Sequence, residues 1–403
     1  MTNATPFSNS LLVVSKPMLS RSRRNDALEV VRHLVTVIGP RQATSLAEAQ
    51  AAAYVDGRLR RAGMRVNADT FRAATHAGLT YPLLALLGLT AALLTRWLPL
   101  PSFLLALWGF LLTLGDALVA PLPPLSLQRD SQNIVGTRAG EKAPRRRVVL
   151  LAPLDSYPDR TGLYRFLGQH RVAFISRMVV FGLLTLLALL HAFAPSEIWW
   201  YGQVLPAVYL LLLLLPRRAC LGTSPGGAGA LAVLLSAAEQ LHTLQTVELW
   251  TVALGATATG SSGVRDLLAR YPFPATQTLF LNLEHIAAGQ LIYASREGVV
   301  RQHTADAQLI QLAELIDTRD PLINAEPRPY RTAPSLATLL YARDYRVLSI
   351  LSHTDEHVPI SEDKPLANLD AQMLERTTRF VVGIVQQLDQ EQRDGAATQH
   401  PRR

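Results

Sequence analysis

The chain has 403 residues, with 39 Lys and Arg against 31 Asp and Glu and a net charge of +8. Hydrophobic residues make up 49% and charged residues 17%, so a large core is available and intrinsic disorder is excluded. Cys220 is the single cysteine, which excludes an internal disulfide scaffold and a thiolate zinc finger. The positive balance is almost all arginine, since Lys16, Lys142 and Lys364 are the only lysines. With so few charges overall, it points to a membrane surface and not to nucleic acid.

Residues 1–26 read as a flexible tail. The apolar run Leu11–Val14 is too short for a cleavable signal peptide and is followed by Arg21, Arg23 and Arg24. Residues 27–76 begin a folded domain. Leu28, Val31, Leu34, Val35 and Ile38 have helical spacing up to Pro40. A second helix is predicted from Ser45, a suitable N-cap, to Ala62, with Gly63 at its end. Met64–Thr70 is a predicted strand.

Residues 77–120 and 178–216 are each expected to form a transmembrane hairpin. Windows 77–95, 97–115, 178–196 and 198–216 contain no Asp, Glu, Lys or Arg. A helix of each length spans about 28 Å, close to the hydrocarbon thickness of a bilayer. Arg96 alone separates the first two windows and Glu197 alone the second two. Trp97, Trp108, Trp199, Trp200 and Tyr201 are of the kind that favours membrane interfaces. Arginines dominate the flanks: Arg58, Arg60, Arg61, Arg65 and Arg72 before the first hairpin, Arg129, Arg138 and Arg145–Arg147 after it. Arg160, Arg165, Arg171 and Arg177 precede the second, and Arg217 and Arg218 follow it. By the positive-inside rule the soluble segments are expected in the cytoplasm.

Residues 121–177 and 217–390 continue the domain, and 391–403 read as a second tail. Asn133–Thr137, Arg147–Leu151, Val247–Leu254, Thr278–Leu283, Leu291–Ala294 and Arg346–Leu351 are predicted strands. Helices are expected after the glycine-rich turns 222–229 and 255–263, over Ala305–Thr318, and over Ala371–Leu388. The alternation predicts an α/β class: a three-layer domain on a central, mostly parallel mixed sheet, plus four transmembrane helices in two hairpins.

Several motifs carry chemistry. Gly222–Gly226 matches the nucleophile-elbow pattern, but Pro225 has no N–H for an oxyanion. Gly255–Ser262 resembles a phosphate loop whose lysine is replaced by Ser261, keeping only a cradle of amides. His353, Asp355 and His357, with Glu362 and Asp363 behind them, concentrate metal-ligand types on a predicted loop, and Glu284-His285 closes a predicted strand. Arg145–Arg147 is expected to face lipid headgroups.

Read in order, the soluble stretches resemble the M28 family of zinc aminopeptidases. Leu34–Arg41 with Arg61–Val66 is similar to the family's opening, and Asn133-Ile134-Val135-Gly136 precedes the strand Val148–Leu151 as expected there. The His-x-Asp-Ser motif reads Pro153-Leu154-Asp155-Ser156. The Gly-Ala-x-Asp-x-x-Ser-Gly turn falls on Gly222–Gly229, the Glu-Glu pair on Thr257-Ala258, and the Asn-x-Asp strand end on Asn282-Leu283-Glu284. Leu366–Asp370 fits the closing segment.

The resemblance implies the fold and, for family members, two zinc ions with a Glu as general base. Here Pro153, Pro225 and Thr257-Ala258 stand at positions of ligands and base, which implies a membrane-embedded pseudopeptidase with a binding or scaffolding role. Glu284 and His353 are left as vestigial metal candidates; counting back from Asn368–Asp370 instead selects Ile360 or Ser361 for the last ligand. No catalytic residue and no cofactor are expected. The alternative is an active zinc hydrolase with a site rebuilt from Glu284, His285, His353, Asp355 and His357. A third reading is a small-molecule or lipid-headgroup binder that uses the glycine-rich turns and flanking arginines. The expected partners are the lipid bilayer and a membrane protein, and the cleft is expected to face the bilayer.

Overall fold

The structure, a computed structural model, describes residues 26–76, 78–118, 122, 124–140, 146–156, 167, 171–215, 225–331, 335–353, 366 and 369–399. A helix over 26–38 (α1) loosens into π-helical turns at His33–Ile38 and ends at Gly39. Helix α2 is Leu46–Arg61, and the Ser45 hydroxyl accepts from Glu48 N–H at 3.2 Å, as the N-cap signal predicts. Gly63, at φ +79°, turns the chain into strand β1, Arg65–Ala74.

The remaining strands are β2 (Gln128–Arg138), β3 (Arg146–Pro153), β4 (Val247–Leu254), β5 (Thr278–Glu284), β6 (Gln290–Glu297), β7 (His303–Thr304), β8 (Ala325–Tyr330) and β9 (Arg346–His353). They form one mixed sheet in the order β1-β2-β4-β3-β5-β9-β6-β7, with β8 on β6. Its centre, β4-β3-β5-β9, is parallel, while β2 and β6 run antiparallel to the neighbours that flank it. Central strands are buried on both faces, hence the continuous apolar runs such as Val148–Leu151.

One face is covered by α1, α2, α8 (Pro225–Gln240), α10 (Ala307–Arg319) and α12 (Ala371–Gln399), through residues such as Leu59, Leu234, Leu312 and Phe380. The other carries α9 (Ser262–Arg270) and α11 (Ala337–Tyr341), through Leu267 and Leu340. This is the expected three-layer α/β arrangement. Helix α12 runs on to Gln399, into the stretch expected as a tail.

Four apolar helices stand apart: α3 (Thr80–Leu94), α4 (Pro99–Leu118), α5 (Arg171–Phe193), and a broken pair, α6 (Glu197–Tyr201) with α7 (Val204–Leu214). Among the described residues, three segments are long and apolar enough to cross a membrane: Pro99–Asp116, Arg171–Phe193 and Glu197–Leu214. The expectation of four equal spans is corrected. Helix α3 has only 15 residues, about 22 Å at 1.5 Å per residue. Helix α5 starts at Arg171 and not near 178.

The four pack around Leu84, Phe181, Leu184 and Leu210. Phe181 fits against two glycines, since a Cβ on Gly109 would lie 2.2 Å from its ring and one on Gly88 3.0 Å. Arg177 is fully buried and pairs with Asp116 at 3.3 Å, its guanidinium sandwiched over Tyr81 and Phe174 at 4.3 and 4.6 Å. Asp116 also accepts from Leu122 N–H at 2.8 Å and Tyr81 O–H at 3.4 Å. At the far end Arg96 meets Glu197 at 3.3 Å and lies over Trp200. The two residues that separate the apolar windows in sequence therefore face each other across the helix pairs.

Candidate functional site

Strand polarity places the residues of interest together. Asp155, Thr257, Glu284 and His353 all lie at or just beyond the carboxyl ends of the parallel strands, the edge where open α/β sheets hold ligands. The apolar helices spring from that same edge. Helices α3 and α4 interrupt the β1–β2 ribbon at Ala74 and Gln128, the end of β2 that lies beyond Ala253 of β4. Helices α5–α7 occupy the crossover between β3 and α8.

The turn after β4 is held by side chains from three other segments. Gly255 N–H donates to Asn133 Oδ1 at 3.1 Å and Ala256 N–H to Glu48 Oε1 at 2.8 Å. Thr257 and Ala258 N–H donate to the two oxygens of Asp155 at 3.0 and 2.8 Å, and the Thr257 hydroxyl adds a short bond to the same carboxylate. Four consecutive amides are thus satisfied internally. The amide cradle anticipated for a phosphate is filled by the chain's own acceptors.

Glu48 and Asp155 are buried together. Glu48 Oε2 also accepts from Thr44 N–H at 2.7 Å and the Ser131 hydroxyl at 3.0 Å. Burial, then the nearby Asp155 charge, pushes its carboxyl up to about 7, against the pull of those hydrogen bonds. Burial likewise raises Asp155. Arg41 is the adjacent cation, buried and brought down to about 10 by desolvation, with Asp155 opposing the shift. Its guanidinium donates to Leu154 O at 2.9 Å and Leu34 O at 3.0 Å, and its backbone carbonyl accepts from Ser156 N–H at 2.7 Å. It therefore fastens the end of β3 to the segment after α1.

Glu284 Oε1 accepts from Leu336 N–H at 2.6 Å and Asn282 Nδ2 at 3.1 Å, beside α11. Asn282 also donates to Ser349, whose hydroxyl donates to the buried Glu297 at 2.7 Å. Register pairs Glu284 with Leu351, so His353 falls two residues further along the neighbouring strand and on the same face. His285 takes φ +50°, and its carbonyl accepts from the Ser352 hydroxyl at 2.7 Å. Asp355, His357, Ile360, Ser361, Glu362, Asp363 and Asn368 lie outside the described residues, as do Gly222–Ser224. Among the described residues no group of three or more His, Cys, Asp or Glu side chains is placed to hold a metal ion.

The arginines divide by edge. Arg146 donates to Gln308, and Arg147 pairs with Glu248 at 2.8 Å and lies 4.9 Å over Trp250. Arg138 donates to Ala238 O and Leu241 O. All three sit at the edge away from the apolar helices, so the expectation that the 145–147 run meets lipid headgroups is corrected for Arg146 and Arg147. Arg145 is outside the described residues. A cavity of about 1040 Å³ also lies at that far edge, lined by Arg32, His33, Tyr54, Arg58, Arg61 and Glu239 among others.

Neither a family profile nor a curated protein matches the sequence. Solved structures do match in fold. A zinc aminopeptidase from Bacillus subtilis aligns over 91% of this chain and 94% of its own, with TM-score 0.53 and 12% identity. An aminopeptidase from Aneurinibacillus sp. strain AM-1 gives 0.53 and 13% over 91% and 93%. A glutaminyl cyclase from an Acidobacteriales bacterium gives 0.51 and 13% over 97% and 100%. At such identity the likeness is one of fold, and that fold is the aminopeptidase-like α/β architecture. Arg41, Glu48 and Asn133 carry much of the local geometry. The sequence signalled Arg41 and Asn133 only as parts of the family-like pattern. Glu48 had no distinguishing signal, because a glutamate in the first turn of a helix is ordinary.

Proposed function

We propose that the chain is a membrane-anchored protein of aminopeptidase-like fold that binds a partner or ligand at the sheet edge without hydrolysing it. The observation that carries this reading is the state of the donors there. Both oxygens of Asp155 accept backbone amides, Glu284 caps a loop and accepts from Asn282, and Thr257-Ala258 offers no carboxylate. Such a set does not fit a two-zinc centre, which needs several free carboxylate and imidazole donors. Anchoring is supported by the three long apolar helices and by Leu104, Trp108, Val179 and Leu205, all more than half exposed. With α3 as a shorter fourth span, the helices make two hairpins, and the positive-inside rule puts the α/β domain in the cytoplasm.

Metal analysis of the detergent-purified full chain, with hydrolysis of aminoacyl nitroanilides assayed with and without added zinc, tests the reading. The expected result is substoichiometric zinc and no turnover. Stoichiometric zinc that disappears in Glu284→Ala or His353→Ala overturns it in favour of a rebuilt hydrolase centre, a reading that the shared face of Glu284 and His353 supports.

A further inference from the structure

The β1–β2 ribbon stays hydrogen-bonded up to the point where the apolar helices begin. Its last three rungs pair Arg72 with Asp130, Ala73 with Arg129 and Ala74 with Gln128. Beyond them Thr75 N–H donates to Leu127 O at 3.1 Å and Leu79 N–H to Leu125 O at 2.8 Å. The ribbon root is thus a built surface, and its side chains are unusual for one facing water. Leu79, Leu125 and Leu127 are 60%, 53% and 76% exposed, and Arg72 and Arg129 are exposed beside them.

The turn after β4 completes the surface. A Cβ on Gly260 would lie 2.9 Å from Pro124, and the exposed Arg265 hangs its Nε on Gly260 O at 3.1 Å. Arg265 therefore stands on the same side as the ribbon root. The opposing charge is Asp130, 3.8 Å from Arg72 with both side chains largely exposed, a contact worth little in water. Exposed leucines ringed by arginines match the boundary between acyl chains and phosphates of an anionic leaflet.

We infer that the root of the β1–β2 ribbon, with Arg72, Arg129 and Arg265 around Leu79, Leu125 and Leu127, binds anionic phospholipid headgroups and holds the carboxyl edge of the sheet against the bilayer. The inference rests on the membrane-anchored reading above. It goes beyond anchoring, because the α/β domain itself then touches lipid and the candidate site receives what the bilayer surface presents.

The test uses the full chain with Cys220→Ser and a bimane label on Leu127→Cys, reconstituted in phosphatidylcholine vesicles with or without phosphatidylglycerol. Quenching by a headgroup spin-labelled lipid is expected to rise about twofold or more in the anionic vesicles. A label on Thr243→Cys, at the opposite edge, is expected to show no such rise. Charge reversal at Arg72, Arg129 and Arg265 to Glu is expected to return quenching to the neutral-lipid level. Should that variant fail to fold, about 0.5 M salt on the unreversed chain is expected to do the same by screening. Equal quenching in both lipids, or a rise that survives both reversal and salt, overturns the inference alone. Release of the chain from vesicles by an alkaline wash overturns the membrane reading, and the inference with it.

Discussion

Glu297 is fully buried at the end of β6, beside Glu284, and among the described residues no ion pair reaches it. Burial first, then the Glu284 charge, pushes its carboxyl from 4.5 to about 7. The folded state therefore holds this proton more tightly than the unfolded chain, and the group's contribution to stability falls as pH rises from about 4.5 to about 7. Glu297→Gln keeps the shape and removes the titration. It is expected to flatten that fall and to gain on the order of 1–3 kcal/mol at pH 8, read from thermal unfolding in detergent. Parallel pH profiles for parent and variant would count against this. Glu48 titrates over the same range, so some slope is expected to persist in the variant. At Asp155 substitution is expected to act in the opposite direction and destabilise, because its oxygens satisfy buried amides. Asp155→Ala leaves Thr257 and Ala258 N–H without acceptors, a cost of about 1–3 kcal/mol per orphaned group. An unchanged melting temperature would show that the turn finds other partners. At this scale the sequence made Asp155, Thr257 and Glu284 visible as positions in a pattern. What their oxygens touch depends on chain brought in from far along the sequence, the turn after β4 at Asp155 and the segment 335–336 at Glu284, and no local spacing encodes that.

Among elements, the apolar helices were legible because uncharged windows of membrane length are rare in soluble chains. Their limits were not. Helix α5 begins at Arg171 because Arg177 can enter the bundle once Asp116, Tyr81 and Phe174 surround it. Removing one partner strands a buried charge, so Arg177→Leu alone is expected to destabilise by about 3–5 kcal/mol, and the double change with Asp116→Leu by much less. A thermal-unfolding cycle of the four proteins in detergent checks this; equal losses for single and double changes would refute the coupling. Gly109→Ala forces a methyl into the Phe181 ring and is expected to cost about 1–3 kcal/mol. Phe181→Leu in the same chain should recover part of that loss if the clash is the cause. Strand β8 escaped the sequence reading because Pro327 and Pro329 argue against a strand. It is tolerated on β6 because alternate prolines leave one side of a peripheral strand without donors, which a central strand cannot afford.

For the whole molecule, the consequential fact is that two insertions far apart in sequence leave the sheet at one edge. The polarity of β2 and β3 decides this, and it brings the ribbon root, the turn after β4 and the end of β3 to the side from which the apolar helices extend. It also changes the charge argument. Arg138, Arg146 and Arg147 flank the helices in sequence but sit at the opposite edge, bound to the domain itself. Arg72 and Arg129 are left as exposed arginines next to the ribbon root. A reporter fused after Arg403 is expected to be cytoplasmic, and an extracytoplasmic signal would reverse the orientation. Composition and periodicity alone determined the class, the alternation of strands and helices, and the apolar stretches, because burial writes hydrophobic patterns locally. The tertiary structure alone decided which edge carries the helices, which arginines are exposed beside them, and that four amides after β4 are already satisfied. Those are matters of strand direction and of contacts across more than a hundred residues, and hydrophobic periodicity carries no record of either.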